Sequence, residues 1–170
     1  MSALMSSAPI EITVDRAPVS RASNTWEIAI RFALVAIAVV ICYQFEWIWL
    51  RYVTSELNLR LDALAGVHLE RLSHDTVMWG GKTYRYVNAC TFADVLCGAL
   101  PLLWNLRKNV LQNLSRFVIF GAVLIAFNVF RLSVSDVLYA QGLSWDLAHN
   151  AISGVSYFLV WTYLWKTRPF

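Results

Sequence analysis

Four stretches of the chain run apolar with few interruptions, separated by polar and turn-forming segments. A helix that crosses a bilayer needs about 20 mostly apolar residues, which places spans at about 28–50, 89–104, 117–139 and 147–165. The first has an uncharged centre from Phe32 to Phe45, and the fourth carries no charged residue and one histidine, His149. The second holds Asp94 and the third reaches Arg131 before ending near Tyr139, as helices lining an internal site do. Between spans one and two, Leu57, Leu61, Leu64 and Leu72 recur at helical spacing and predict an amphipathic helix on the outer surface or over the bundle. Thr76 to Trp79 and Lys82 to Val87 are β-prone runs on either side of Gly80-Gly81, and glycine can take both positive-φ positions of a tight hairpin turn. Residues 1–25 are polar, include Pro9 and Pro18, lack the order of a secretory signal and read as a disordered cytoplasmic tail before a 26–170 transmembrane domain. The predicted fold is therefore an all-α membrane protein, a four-transmembrane-helix bundle with an extracytoplasmic amphipathic helix and a β-hairpin between spans one and two.

Composition agrees with lipid as the solvent. Hydrophobic residues make up 58% of the chain and charged residues 15%, against roughly 45–50% and about 25% in soluble domains. A net charge of +3, with no basic stripe interleaved by aromatics, excludes nucleic acid as a partner. Charge also sets orientation. The link between spans two and three holds Arg107, Lys108 and Arg116, and the C-terminal end holds Lys166 and Arg168, with no acid in either. The segment between spans three and four holds Asp136 and Asp146 instead. The positive-inside rule then predicts a multi-pass protein of the cell (plasma or inner) membrane with both termini cytoplasmic.

On that topology three reactive side chains from separate spans reach the extracytoplasmic face: Cys90, Arg131 and His149. A cation and a helix N-terminus both favour a thiolate. The imidazole can accept the thiol proton and return it to a leaving amine, and the guanidinium can stabilise an oxyanion. Asn128, one turn before Arg131 on the same face, is placed to orient Arg131 or the substrate. Asp94, one turn beyond Cys90, is costly in lipid and needs a partner, with Arg131 or His149 as candidates beside a purely structural bridge. Each residue also has a plainer use: a cysteine as small apolar filler, an arginine reaching to headgroups, a histidine capping its helix. Cys42, Cys90 and Cys97 lack CxxC spacing, and their odd count leaves at least one free thiol. One cysteine and one histidine do not make a zinc or haem site, so neither a metal nor an organic cofactor is expected.

A glycine-turn hairpin, then Ala89-Cys90-Thr91, then Asn128-Val129-Phe130-Arg131, then His149 opening the last helix: this order resembles the exosortase/archaeosortase family of membrane cysteine transpeptidases. The resemblance covers about residues 76 to 155. It implies Cys90 as nucleophile, Arg131 as anion stabiliser and His149 as acid/base, with Thr91 matching the small residue that follows the cysteine. Phe92 stands where the family usually has glycine. The implied activity is a thiol protease or transpeptidase that cleaves C-terminal sorting signals of exported proteins through a cysteine acyl-enzyme. The implied partner is a membrane-anchored protein ending in a short motif, a transmembrane segment and a basic tail. Two other classes compete: a non-catalytic scaffold or assembly partner in an envelope or export pathway, and a small transporter or channel subunit using Asp94, Arg131 and His149 as a relay.

Overall fold

The structure is a computed structural model and describes residues 21–167, the side chains of 21–25 excepted. It is mostly helical. Helix α1, Arg21–Cys42, starts inside the segment expected to be a tail, and residues 1–20 lie outside the described residues. There follow α2 (Ile48–Leu64), strands β1 (Glu70–Arg71), β2 (Thr76–Trp79) and β3 (Lys82–Arg85), α3 (Asn88–Thr91), α4 (Ala93–Leu103), α5 (Val110–Ala140) and α6 (Ile152–Thr167). A widened, π-type turn over Asp146–Ala151 leads into α6.

Among the described residues one helix, α5, is long and apolar enough to cross a membrane, so helix length does not support the predicted bundle of four full spans. The reason is local. Counting apolar residues does not register breaks in the backbone, and two fall inside predicted spans. Trp47 takes φ 49° in the turn between α1 and α2, dividing the 28–50 stretch. Phe92 takes φ 55° and divides the 89–104 stretch into a four-residue α3 and an eleven-residue α4. The fourth stretch is shared between the π-type turn and the 16 residues of α6.

The core gathers Phe92, Val95, Ala99, Leu102 and Leu103 against Leu124 of α5 and Leu164 of α6, with Val35 of α1 packed on it. Close approach here requires Gly98, where a Cβ would lie 2.8 Å from the Trp161 ring and 3.3 Å from Val39. Pro101 does not prevent α4 from ending cleanly: Arg31 of α1 donates to the carbonyls of Pro101 (2.7 Å) and Trp104 (3.1 Å), satisfying acceptors a helix C-terminus leaves open.

The helix expected over Leu57 to Leu72 is α2, displaced towards the N-terminus and ended before Gly66, whose φ is +80°. Its buried stripe is Leu50, Thr54, Ser55, Asn58 and Asp62, while Leu57 and Leu64 are exposed. Polar residues thus face α5, and the leucine spacing marks the outer side. Asn58 Nδ2 donates to Asp62 Oδ2 (2.7 Å) and Asp136 Oδ2 (2.8 Å), so Asp136, read as a loop residue, is a buried residue of α5. The hairpin forms as predicted, with Trp79 paired to Lys82 across Gly80 and Gly81 at φ 55° and 75°. β1 adds a third strand on the far side of β2.

Candidate active site

Cys90 sits in α3, between two anchors. On its N-terminal side Asn88 Oδ1 accepts two hydrogen bonds from Arg51 of α2 (3.2 and 2.9 Å), and Asn88 Nδ2 donates to the Phe45 carbonyl (2.9 Å). On its C-terminal side Thr91 Oγ1 donates to the Asn88 carbonyl (2.7 Å) and accepts from the Ala93 amide (3.3 Å), bracing the turn at Phe92. The cysteine therefore does not open a long helix. The break at Phe92 puts the N-terminus of α4 beyond it, and the helix-dipole argument for the thiolate does not carry over.

Arg131, 3% exposed, is held on three sides. Its Nε and Nη2 donate to Asn128 Oδ1 (3.2 and 2.9 Å), its Nη1 donates to Ser153 Oγ of α6, and its guanidinium lies 4.6 Å from the centre of the Phe92 ring. Asn128 Nδ2 in turn donates to the Cys90 carbonyl at 2.7 Å. The guanidinium thus reaches Cys90 through Asn128 and the backbone, and Asn128 orients it as the sequence suggested. Asp94 pairs with neither Arg131 nor His149. Its carboxylate accepts from Tyr157 Oη (3.1 Å to each oxygen) and Tyr43 Oη (3.3 Å), tying α4 to α6 and to the end of α1.

His149 comes from the π-type turn, its imidazole stacked on Trp145 at 4.5 Å and 11°. Its Nδ1 is buried and has no hydrogen-bond partner among the described residues. Trp145 continues the stack to Tyr84 (5.0 Å) and meets Tyr139 edge-on (5.4 Å), which meets Trp79 the same way (5.1 Å). These aromatics wall a cavity of about 460 Å³ that Cys90, His149 and Asp136 all line. Arg131 backs the site without lining the cavity, and no hydrogen bond joins the Cys90 thiol to His149 or Arg131 among the described residues.

Arg51, Asn88, Ser153 and Asp136 also belong to the site, and nothing in the sequence marks them out. Each is a single polar residue whose partner lies far along the chain, so no spacing announces it. The aromatic wall was closer to legible, since the hairpin was foreseen and Trp79 and Tyr84 belong to it. A thiol and an imidazole on one cavity wall can act as nucleophile and proton carrier once a substrate lies between them. Compared with protein-family models, curated proteins and solved structures, the chain matches none.

Proposed function

We propose that this protein is a membrane-embedded thiol protease or transpeptidase of the exosortase/archaeosortase kind, acting on a membrane-anchored protein with a C-terminal motif, transmembrane segment and basic tail. The observation that carries the reading is the shared cavity: Cys90 from α3 and His149 from the turn before α6 line one pocket beside the hairpin. In the proposed reaction the Cys90 sulfur attacks the scissile carbonyl, and His149 takes the thiol proton and gives it to the departing amine as the C–N bond breaks. Water or an acceptor amine then cleaves the thioester and restores the thiol. Asn128 and Arg131 fix the Cys90 backbone, and Thr91 fixes the turn after it.

A membrane setting is supported by the apolar surface the fold leaves outside. Ile30, Phe32, Ile37 and Val40 on α1, Val118, Ile119 and Val123 on α5, and Val155, Phe158 and Leu159 on α6 are all exposed. Patches of that extent are not left to water. The finer reading is four membrane segments, α5 crossing fully and the others as shorter or broken helices, with the site at the extracytoplasmic face and both termini in the cytoplasm. Breaks of this kind are tolerated in lipid where protein covers them.

The scaffold reading is favoured by one observation, that Arg131 already has its partners inside the fold. C-terminal peptide profiling of membranes from cells carrying the wild type or Cys90→Ala separates the two. The protease reading expects at least one membrane-anchored protein to lose its C-terminal span and basic tail only with the wild type. Identical C-termini in both cells would leave the scaffold.

A further inference from the structure

The cavity borders more than the thiol; it also runs along an unpaired strand edge. β3 is the edge strand of a sheet ordered β1-β2-β3. The Tyr86 amide donates to the Asp75 carbonyl at 2.7 Å, and the antiparallel register pairs Thr76 with Arg85, Val77 with Tyr84, Met78 with Thr83 and Trp79 with Lys82. Hydrogen-bonded and non-hydrogen-bonded pairs alternate along such a ladder. Val77 with Tyr84 and Trp79 with Lys82 are therefore the bonded pairs. The amides and carbonyls of Thr83 and Arg85 point away from β2, and they have no hydrogen-bond partner among the described residues.

The lining of the cavity agrees with that direction. Val77, Trp79, Lys82 and Tyr84 share one face of the sheet and line it; Thr83 and Arg85 carry their side chains on the other face and line it too. A pocket that touches both sets wraps around the edge between the faces. The same edge leads through Tyr86 to Cys90. Charge along it is uneven: Arg85 is matched by Asp75 at 3.0 Å, whereas Lys82 has no ion pair among the described residues.

We infer that the substrate docks as a fourth strand on β3, an extended peptide segment that pairs with the free backbone groups of Thr83 and Arg85, sets an acidic side chain towards Lys82 and delivers its carbonyl to Cys90. Recognition of this kind takes affinity from main-chain hydrogen bonds and specificity from pockets for alternate side chains, and the cavity walled by Trp79, Tyr84, Tyr139 and Trp145 lies along this edge to receive one. The inference rests on the proposed role of Cys90 and adds how the substrate is held.

The test uses the full chain in detergent and two thiol reagents, iodoacetamide and acetyl-Ala-Glu-Ala-Ala chloromethyl ketone, the latter also as a series N-methylated at one amide at a time. Strand pairing predicts that methylating alternate amides slows Cys90 alkylation about three- to ten-fold, the loss of one backbone hydrogen bond, while the intervening amides tolerate it. Thr83→Pro, which removes an outward N–H and keeps the ladder to β2, lowers the rate of the unmethylated peptide reagent by a similar factor. Cys90 that reacts with iodoacetamide while the peptide series shows no alternation overturns the docking and leaves the nucleophile standing. Cys90 inert to both reagents overturns the nucleophile, and the docking with it.

Discussion

Phe92 sets backbone against side chain. A non-glycine residue at φ 55° costs about 1–2 kcal/mol, whereas removing a large buried aromatic costs about 3–5 kcal/mol. Phe92 is 0% exposed and its ring lies under Arg131, so the side chain outweighs the strain. Phe92→Gly is expected to lower stability by about 2–3 kcal/mol in denaturant titrations. A rise in stability would show that the ring contributes little. The position also explains what sequence made legible at this scale. Cys90 and His149 stood out because the predicted topology brought a thiol and an imidazole from separate spans to one face. Arg131 stood out for its charge, yet its role changed once Asn128, Ser153 and Phe92 were seen to surround it.

Between elements, Asp75 ties the hairpin to α2 through ion pairs. Asp75 Oδ2 accepts from Arg85 Nε at 3.0 Å and Arg51 Nη1 at 3.4 Å, and Oδ1 accepts from Thr76 at 3.0 Å. Burial pushes its carboxyl up, but the hydrogen bonds from Arg85 and Thr76 and the charge of Arg85 outweigh that and hold it at about 2. An unfolded aspartate titrates near about 3.9. The folded value is the lower, so Asp75 contributes stability above about pH 4, and that contribution fades as pH falls towards 2. Asp75→Asn is expected to melt below the wild type at pH 7, with the gap closing as acid is added; a gap independent of pH would remove the ion pairs from the account. The hairpin was legible because Gly80-Gly81 names its turn. The placement of α2 was not, because Leu57 and Leu64 lie outside and the stripe facing α5 is Thr54, Asn58 and Asp62, which helical spacing of apolar residues cannot find. The broken spans failed for a related reason: hydropathy is blind to φ at Trp47 and Phe92.

At the scale of the molecule, apolar faces on α1, α5 and α6 lie outside, and Arg131, Asp94 and Asn58 are buried with their partners beside the apolar core around Phe92 and Val95. At the hairpin a cavity meets Cys90 and His149. The proposed chemistry requires those two residues to work on one bound carbonyl. The most direct measurement is the alkylation rate of each cysteine near neutral pH by a membrane-impermeant thiol reagent, resolved by mass spectrometry, in the wild type and in His149→Ala. Cys90 is expected to label faster than Cys42, Cys97 and a free thiol in solution, and His149→Ala to slow it at least about a hundred-fold, the low end of what a general base supplies. A Cys90 rate that the loss of the imidazole does not change would contradict the proposed chemistry.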